Sequence, residues 1–169
     1  TTQRERKFSR LSRRLRIPPG HVTPKGFRLT VIADESGSMS DDEFNFALNI
    51  VKQVSVNEKN DRVYVVHWDT GPSDIVDEIS NPSQVVKIKR LKSGGTNFSE
   101  IFTHKIVSNL DTDAIVVITD GYPSVWPSSI PRVPTIWAIT TEGGVQSYLT
   151  FRDKTGRNIG SAVYTGSRG

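Results

Sequence analysis

Three polar side chains, Asp34, Ser36 and Ser38, follow an apolar run at spacings of two residues. The run, residues 27–33, is rich in branched apolar side chains and predicts a buried strand. Residues 40–43 have the S-x-x-E pattern that opens a helix. The three side chains should therefore lie on a loop at the carboxyl end of a strand, where open α/β sheets bind ligands. One carboxylate and two hydroxyls are hard oxygen donors, which suit Mg²⁺, Mn²⁺ or Ca²⁺ far better than Zn²⁺.

Two later segments offer further hard oxygen atoms. Residues 92–98 form a glycine-containing turn in which Thr96 stands at a predicted helix start. Residues 114–121 are strongly apolar and end in Asp120 followed by a glycine. Three ligands from one loop rarely complete a site for such ions, so these two residues are candidates for the missing ligands.

The three segments together resemble the von Willebrand factor type A (vWA) family. They contain its D-x-S-x-S pattern, its Gly-Gly-Thr turn and its hydrophobic strand ending in Thr-Asp-Gly, in that order, within about residues 27–141. In that family these motifs build a metal-ion-dependent adhesion site (MIDAS). The resemblance implies five metal ligands in this chain: Asp34, Ser36, Ser38, Thr96 and Asp120.

The resemblance also implies how the site works. Ser36 and Ser38 would coordinate the cation directly, whereas Thr96 and the two aspartates would act directly or through water. Mg²⁺ is the expected ion, with Mn²⁺ or Ca²⁺ as alternatives, because Mg²⁺ accepts a few protein oxygens together with waters. An Asp or Glu of a protein partner would fill the open position. The expected function is therefore a divalent-cation-dependent protein–protein interaction.

A narrower group of the family shares further features with the chain. These features are the arginine-rich approach with Pro-Gly before the first strand, and the Pro-Thr-Ile-Trp-Ala-Ile-Thr of residues 134–140. The similar proteins are bacterial and phage proteins with a C-terminal vWA-like domain behind a predicted metallopeptidase domain. The similarity implies a scaffold role with an ATPase or protease assembly, in the bacterial cytoplasm or the host cytoplasm if phage-encoded. Any peptidase activity would lie outside this chain, which has no H-E-x-x-H motif, and we do not predict an enzyme.

Composition restricts the class of protein further. The chain has no cysteine, which excludes disulfides and thiolate metal sites and fits a reducing compartment. No apolar run approaches the length of a membrane span, and the N-terminus is polar and basic rather than a signal peptide. We therefore expect a soluble protein without a membrane partner.

The basic residues are concentrated at one end of the chain. Residues 1–16 hold seven basic residues against one acidic residue, a net charge of +6, whereas the remainder is mildly acidic. We therefore divide the chain into a basic arm or linker, residues 1–20, and a vWA-like metal-binding domain, residues 21–169. The arm has three interpretations: a solvated linker, a segment that docks on a domain, or a weaker possibility, a phosphate contact for nucleic acid.

Hydrophobic periodicity predicts the elements that position the site. Strands and helices alternate, which indicates an α/β fold with a doubly wound, mostly parallel Rossmann-like sheet flanked by helices. The predicted strands are residues 27–33, 61–68, 74–79 (antiparallel to its predecessor), 116–119, 135–140 and a short strand at 161–165. The predicted helices are residues 41–56 and a second helix that starts near Thr96 or Asn97 and carries Phe98, Ile101, Phe102, Ile106 and Leu110.

Three stretches have weaker patterns. Residues 82–91 fit either a helix or a strand. Residues 123–134, including Trp126, are predicted to be a proline-rich surface that forms a rim beside the metal. In the glycine-rich tail we predict only the short strand, so the movement of a C-terminal helix known from integrin-type relatives is not expected.

Two other interpretations compete with a metal-dependent interaction site. In D-x-D phosphatases an aspartate at the end of the first strand is the nucleophile, but the second acid position is Ser36 here, which removes the acid/base partner. A Mg²⁺-dependent phosphohydrolase is therefore the less favoured alternative. The second interpretation is structural: Asp34, Ser36 and Ser38 only shape a turn, or a bound metal only stabilises the domain.

Neighbouring polar residues have their own predicted roles. Glu35 is expected to add negative charge near the site and to raise its affinity for a cation. Asp69 fits a turn cap better than an auxiliary ligand, and His67 is predicted to be a packed or hydrogen-bonded strand residue. A basic cluster is predicted as a solvated face that guides an acidic partner at most: Lys87, Lys89, Arg90 and Lys92.

Overall fold

The computed structural model describes residues 26–54, 61–80, 84 and 88–166, and for residues 50–54 it describes the backbone only. The predicted basic arm, its boundary with the domain and Lys87 lie outside these residues. Strands and helices alternate along the described part of the chain. They are β1 (Arg28–Asp34), α1 (Asp41–Val54), β2 (Arg62–Trp68), β3 (Pro72–Ile79), α2 (Lys105–Ser108), β4 (Ala114–Thr119), β5 (Thr135–Ile139), α3 (Glu142–Thr155) and β6 (Ser161–Tyr164).

The strands form one sheet in the order β3-β2-β1-β4-β5-β6. Every neighbouring pair is parallel except β2 and β3, which are antiparallel as predicted for a short connection. β1 lies inside the sheet, with Val31 opposite Val65 on one side and opposite Val116 on the other. The predicted α/β class, a mostly parallel sheet flanked by helices, is confirmed.

Apolar side chains cover both faces of the sheet, which explains why β1 and β4 are near-continuous apolar runs. Leu29 and Val31 belong to the core cluster that also contains Phe44 of α1. Ile32 points to the opposite face and belongs to a second cluster with Trp137. All six residues of β4 are buried.

Helix α1 begins with the predicted capping box. The amide of Glu43 donates to Oγ of Ser40 at 3.1 Å, and the amide of Ser40 donates to Oε1 of Glu43 at 3.1 Å. The helix is described as far as Val54, and the predicted extension to Val56 lies outside the described residues.

The predicted helix after the Gly-Gly-Thr turn is largely wrong, because only Lys105–Ser108 is helical. Residues 99–103 are turns. The amide of Phe98 donates to the carbonyl of Val125 at 2.9 Å, so a tertiary contact holds the start of this stretch. Phe98 and Ile101 are nevertheless fully buried, which is why their spacing resembled that of a helix.

The glycine-rich tail contains a helix that the sequence analysis missed, α3. Thr141 caps it, with Oγ1 accepting from the amide of Gly144 at 2.9 Å, and Gly156 ends it at φ 68°. The short strand predicted at 161–165 is present as β6 and extends the sheet beyond β5.

Trp126 was predicted to lie on a proline-rich surface, but it is half-buried. Its ring stacks on that of Phe151, with centroids 5.6 Å apart, and makes an edge contact with Trp137 at 5.5 Å. The segment that carries it is therefore held against α3 and β5. None of the helices in the described part of the chain has the length and apolar character needed to cross a membrane.

Candidate metal centre

Asp34 ends β1 and is buried with both carboxylate oxygens hydrogen-bonded. Oδ1 accepts from the amide of Ser36 at 2.9 Å, and Oδ2 accepts from the hydroxyl of Thr119 at 2.6 Å. Burial raises the pKa of Asp34 to about 6, because the two hydrogen bonds offset only part of the lost hydration and the charge of Asp120 adds to it. The neighbouring hydrogen bonds thus orient the carboxylate, but they do not fully balance its negative charge.

Ser36 and Ser38 lie on the loop that leaves β1. Their Oγ atoms are 3.0 Å apart, and Ser36 is buried while Ser38 is exposed. The guanidinium of Arg90 donates to the carbonyl of Ser36 at 2.6 Å and to that of Glu35 at 3.2 Å. Two hydroxyls therefore converge on a loop whose backbone is held from the side and which reaches solvent at Ser38.

The Gly-Gly-Thr turn packs directly against this loop. The amide of Gly37 donates to the carbonyl of Gly94 at 2.8 Å. Thr96 is buried, and its carbonyl accepts from both the amide and the hydroxyl of Ser124, each at 2.7 Å. Thr96 is therefore connected to the segment that follows Asp120.

Asp69 holds the same turn from the end of β2. Its carboxylate accepts from the amides of Thr70 at 2.5 Å and Gly94 at 3.1 Å, and it pairs with Lys92 at 3.1 Å. Burial alone would raise its pKa, but the bond to Lys92 and those to the two amides outweigh burial and lower it. These contacts agree with the predicted turn cap, and they place Lys92 on this carboxylate rather than on a solvated face.

Asp120 follows β4 and is buried beside Asp34. Because β1 and β4 are parallel neighbours in register, with Ala33 opposite Ile118, their carboxyl ends reach the same edge of the sheet. Oδ1 of Asp120 accepts from the amide of Tyr122 at 3.3 Å, and its carbonyl accepts from the hydroxyl of Thr141 at 2.8 Å.

The structure brings all five predicted residues to this one edge. They supply two carboxylates and three hydroxyls, a hard-oxygen set that fits Mg²⁺, Mn²⁺ or Ca²⁺. Across the described ranges no three His, Cys, Asp or Glu side chains cluster as metal ligands, so the set depends on its hydroxyls. Neither Asp34 nor Asp120 has an ion pair with another described residue, and two buried carboxylates without a counter-charge fit a cation.

The expectation for Glu35 is wrong. Its carboxylate is fully buried away from the serines, bonds to Nδ1 of His67, and accepts from the amides of Leu91 at 2.7 Å and Lys92 at 3.1 Å. Successive side chains of an extended chain point to opposite faces, so the residue after Asp34 faces away from the site. Its charge is compensated there.

His67 is hydrogen-bonded as predicted, because its Nε2 atom also lies 2.6 Å from Oδ2 of Asp77. Burial lowers the pKa of His67, but the bonds to Glu35 and Asp77 outweigh burial and raise it. The imidazole thus joins the end of β1 to β2 and β3.

Sequence reasoning missed three residues that support the site: Thr119, Thr141 and Arg90. Thr119 stands directly before Asp120, and a hydroxyl residue at the end of an apolar strand was the available signal. Thr141 precedes a helix that was not predicted. Arg90 was assigned to a solvated face, and nothing in its local sequence indicates its bonds to the loop after β1.

A mostly parallel α/β sheet with this oxygen-rich edge at the ends of β1 and β4 is the arrangement expected of a vWA-like domain. The sequence profile of the VWA-like domain (DUF2201) family matches residues 29–152, well over half of the chain, and the chain belongs to that family. A search of the curated proteins found no match. The resemblance to the vWA family is therefore confirmed at the level of the family.

Proposed function

We propose that this domain is a divalent-cation-dependent protein interaction module with a MIDAS-type site. Asp34, Ser36, Ser38, Thr96 and Asp120 would hold Mg²⁺, or Mn²⁺ or Ca²⁺ in its place. The observation that carries the proposal is the pair of buried carboxylates, Asp34 and Asp120, beside converging hydroxyls and without an ion pair to any described residue.

Each side chain has a role that follows from its contacts. Ser36 and Ser38 offer their hydroxyl oxygens directly. Asp34 accepts one bond on each oxygen, and a carboxylate has about four acceptor positions, so both oxygens keep capacity for the ion or for its waters. Thr96 and Asp120 complete the set directly or through water. The bound cation would supply a Lewis-acidic position for a carboxylate oxygen of a partner.

The partner we propose is a protein that presents an Asp or Glu side chain. Mg²⁺ takes six oxygen ligands, and the five candidate side chains leave at least one position for an oxygen from outside the domain, which a partner carboxylate can supply. The proposal includes association with an ATPase or protease assembly, which the resemblance supports. It places the protein in the bacterial cytoplasm, or in the host cytoplasm if phage-encoded. The lack of cysteine fits such a reducing compartment.

We do not propose catalysis by this domain. The bonds from Ser36 and Thr119 restrain the Asp34 carboxylate, and the adjacent acid, Glu35, is occupied by His67. A phosphohydrolase would need a free acid or base at this loop. Nucleic-acid binding by residues 1–16 rests on their charge alone, since they lie outside the described residues.

The test is calorimetric titration of Mg²⁺ and Mn²⁺ into protein stripped with EDTA. We expect saturable binding that is lost in Asp34→Ala and Asp120→Ala. Asp74→Ala, which removes an exposed carboxylate of β3, is the matched control and should bind as the wild type does. Circular dichroism checks that each variant is folded. Absence of binding by the folded wild type, or equal binding by all variants, would refute the proposed site.

A further inference from the structure

Two exposed hydrophobic side chains, Tyr122 and Val125, lie in the segment that follows the predicted metal ligand Asp120. Tyr122 is 55% exposed and Val125 is 43% exposed, and the other residues of the short segment that carries them are half-buried or exposed. We call residues 122–126 the rim segment. Neither side chain belongs to the two core clusters, so their apolar character is not explained by burial within the described part of the chain.

Hydrogen bonds fix the backbone of the rim segment to the candidate ligands. The amide of Tyr122 donates to Oδ1 of Asp120 at 3.3 Å. The amide of Ser124 donates to the carbonyl of Thr96 at 2.7 Å, and the carbonyl of Val125 accepts from the amide of Phe98 at 2.9 Å. The segment is thus hydrogen-bonded to two candidate ligands, Asp120 and Thr96, and to Phe98, which lies two residues after Thr96.

Aromatic packing holds the far end of the same segment. Trp126 stacks on the ring of Phe151 in α3. The guanidinium of Arg157 also lies over the Phe151 ring, 5.8 Å from its centroid. Arg157 also donates to the carbonyl of Pro127 at 2.8 Å. The rim segment is therefore held at both ends, and its two exposed side chains are presented without the cost of ordering a mobile loop.

We propose that the rim segment is a specificity surface, which rests on the function proposed above. It receives an apolar side chain that lies within about two residues of the partner's metal-coordinating Asp or Glu, in an extended stretch of protein. Charge complementarity selects the acidic residue, and Tyr122 and Val125 select its apolar neighbour. Two residues of extended chain span about 7 Å. The rim segment begins at Tyr122, whose amide contacts Oδ1 of Asp120 at 3.3 Å, so it starts beside the candidate metal site.

The experiment uses a displayed library of random 11-residue peptides with a fixed central Glu, selected on the full chain in Mg²⁺ and eluted with EDTA. We expect the recovered peptides to be enriched in aromatic or aliphatic residues within two positions of the Glu. Their affinity should fall about tenfold in Tyr122→Ala and in Val125→Ser, because each change removes apolar surface from the contact. Ile130→Ser removes a side chain that is 61% exposed outside the rim segment and is the matched control.

Calorimetry of Mg²⁺ alone, carried out on every variant, separates the two proposals. Unchanged Mg²⁺ binding with weakened peptide binding in both rim variants, but not in Ile130→Ser, supports the specificity surface. Mg²⁺-dependent peptides without an apolar preference, or peptides that bind both rim variants normally, would overturn it and leave the metal-dependent function intact. Recovery of no Mg²⁺-dependent peptide on protein that binds Mg²⁺ would also overturn it. If the folded wild type does not bind Mg²⁺, the proposed function itself is refuted.

Discussion

Gly144, in the first turn of α3, packs directly against the backbone of Asp120. A Cβ atom at Gly144 would overlap the carbonyl oxygen of Asp120, and it would also come within 2.7 Å of Cγ2 of Ile139 and 2.8 Å of Oγ1 of Thr141. The start of α3 and the loop after β4 can therefore approach this closely only because position 144 has no side chain.

The first prediction concerns this contact. Gly144→Ala should lower the free energy of unfolding by about 1–3 kcal/mol, since backbone and β-strand atoms surround the new methyl group and cannot yield easily. It should also weaken Mg²⁺ binding, because Asp120 must shift. Gly71→Ala is the control, since no atom outside its immediate neighbours lies within 4 Å of the added Cβ. Urea titration of both variants checks the expectation, and equal stability would show that the loop after β4 adapts.

The second prediction concerns the hydroxyl of Thr119. Thr119→Val keeps the shape of the side chain but removes the donor to Oδ2 of Asp34 and the acceptor for the amide of Gly121. We expect Mg²⁺ affinity to fall by about 10–100-fold, as is usual when a residue that orients a metal ligand is lost. Thr119→Ser, which retains the hydroxyl, should bind nearly as the wild type does. Calorimetric titration of Mg²⁺ into both variants tests this expectation. Full Mg²⁺ affinity in Thr119→Val would mean that Asp34 binds the cation without orientation by the Thr119 hydroxyl.

The third prediction concerns pH and His67. Its folded-state pKa is raised from 6.5, so its contribution to stability is fully present below about pH 6.5 and is lost as pH rises through the folded-state pKa. Metal-free protein should therefore become less stable above neutral pH. Asp34 acts in a lower window: its pKa is raised from 3.8 to about 6, so stability falls as pH rises between these values.

The two groups are separated by urea unfolding at several pH values, first between about pH 4 and 6 and then from about pH 6.5 upward. His67→Gln should flatten the profile in this window and leave the lower window unchanged. A wild-type stability that does not change above neutral pH would contradict the assigned role of His67.

The fourth prediction concerns Arg90. Its guanidinium donates to the carbonyls of Glu35 and Ser36 and, at 3.3 Å, to the carboxylate of Asp41. Arg90→Ala leaves the loop after β1 without this restraint, so Mg²⁺ binding should weaken. Lys89→Ala removes the neighbouring charge without these hydrogen bonds and is the control, because loss of a positive charge alone should strengthen cation binding slightly. Similar losses of Mg²⁺ affinity in the two variants would contradict a specific role for the hydrogen bonds of Arg90.

The parts of the site that the sequence predicts are those set by local pattern. β1 and β4 are apolar runs that end in aspartate, and residues of parallel strands must meet at one edge, so Asp34 and Asp120 are placed together without knowledge of the tertiary structure. The capping box at Ser40 is equally local. The fold class follows from the alternation of such segments.

The features that the sequence did not predict depend on contacts between distant residues. The amide of Phe98 binds Val125 rather than starting a helix, and the glycines that appeared to exclude a helix at α3 instead allow its close approach to Asp120. Glu35 was misplaced because the alternation of side chains was not applied beyond the strand. In the first two cases the deciding partner lies more than twenty residues away in the chain, whereas the placement of Glu35 depends on local geometry.

The pairing of β1 with β4 also determines when a cation can act during folding. Asp34 and Thr119 are 85 residues apart in the chain and meet only after these two strands have paired, a contact that is slow to form because a long loop must close first. A cation held by Asp34 and Asp120 would therefore bind late, after the rate-limiting search. It would slow the unfolding of the domain and leave the rate of folding nearly unchanged.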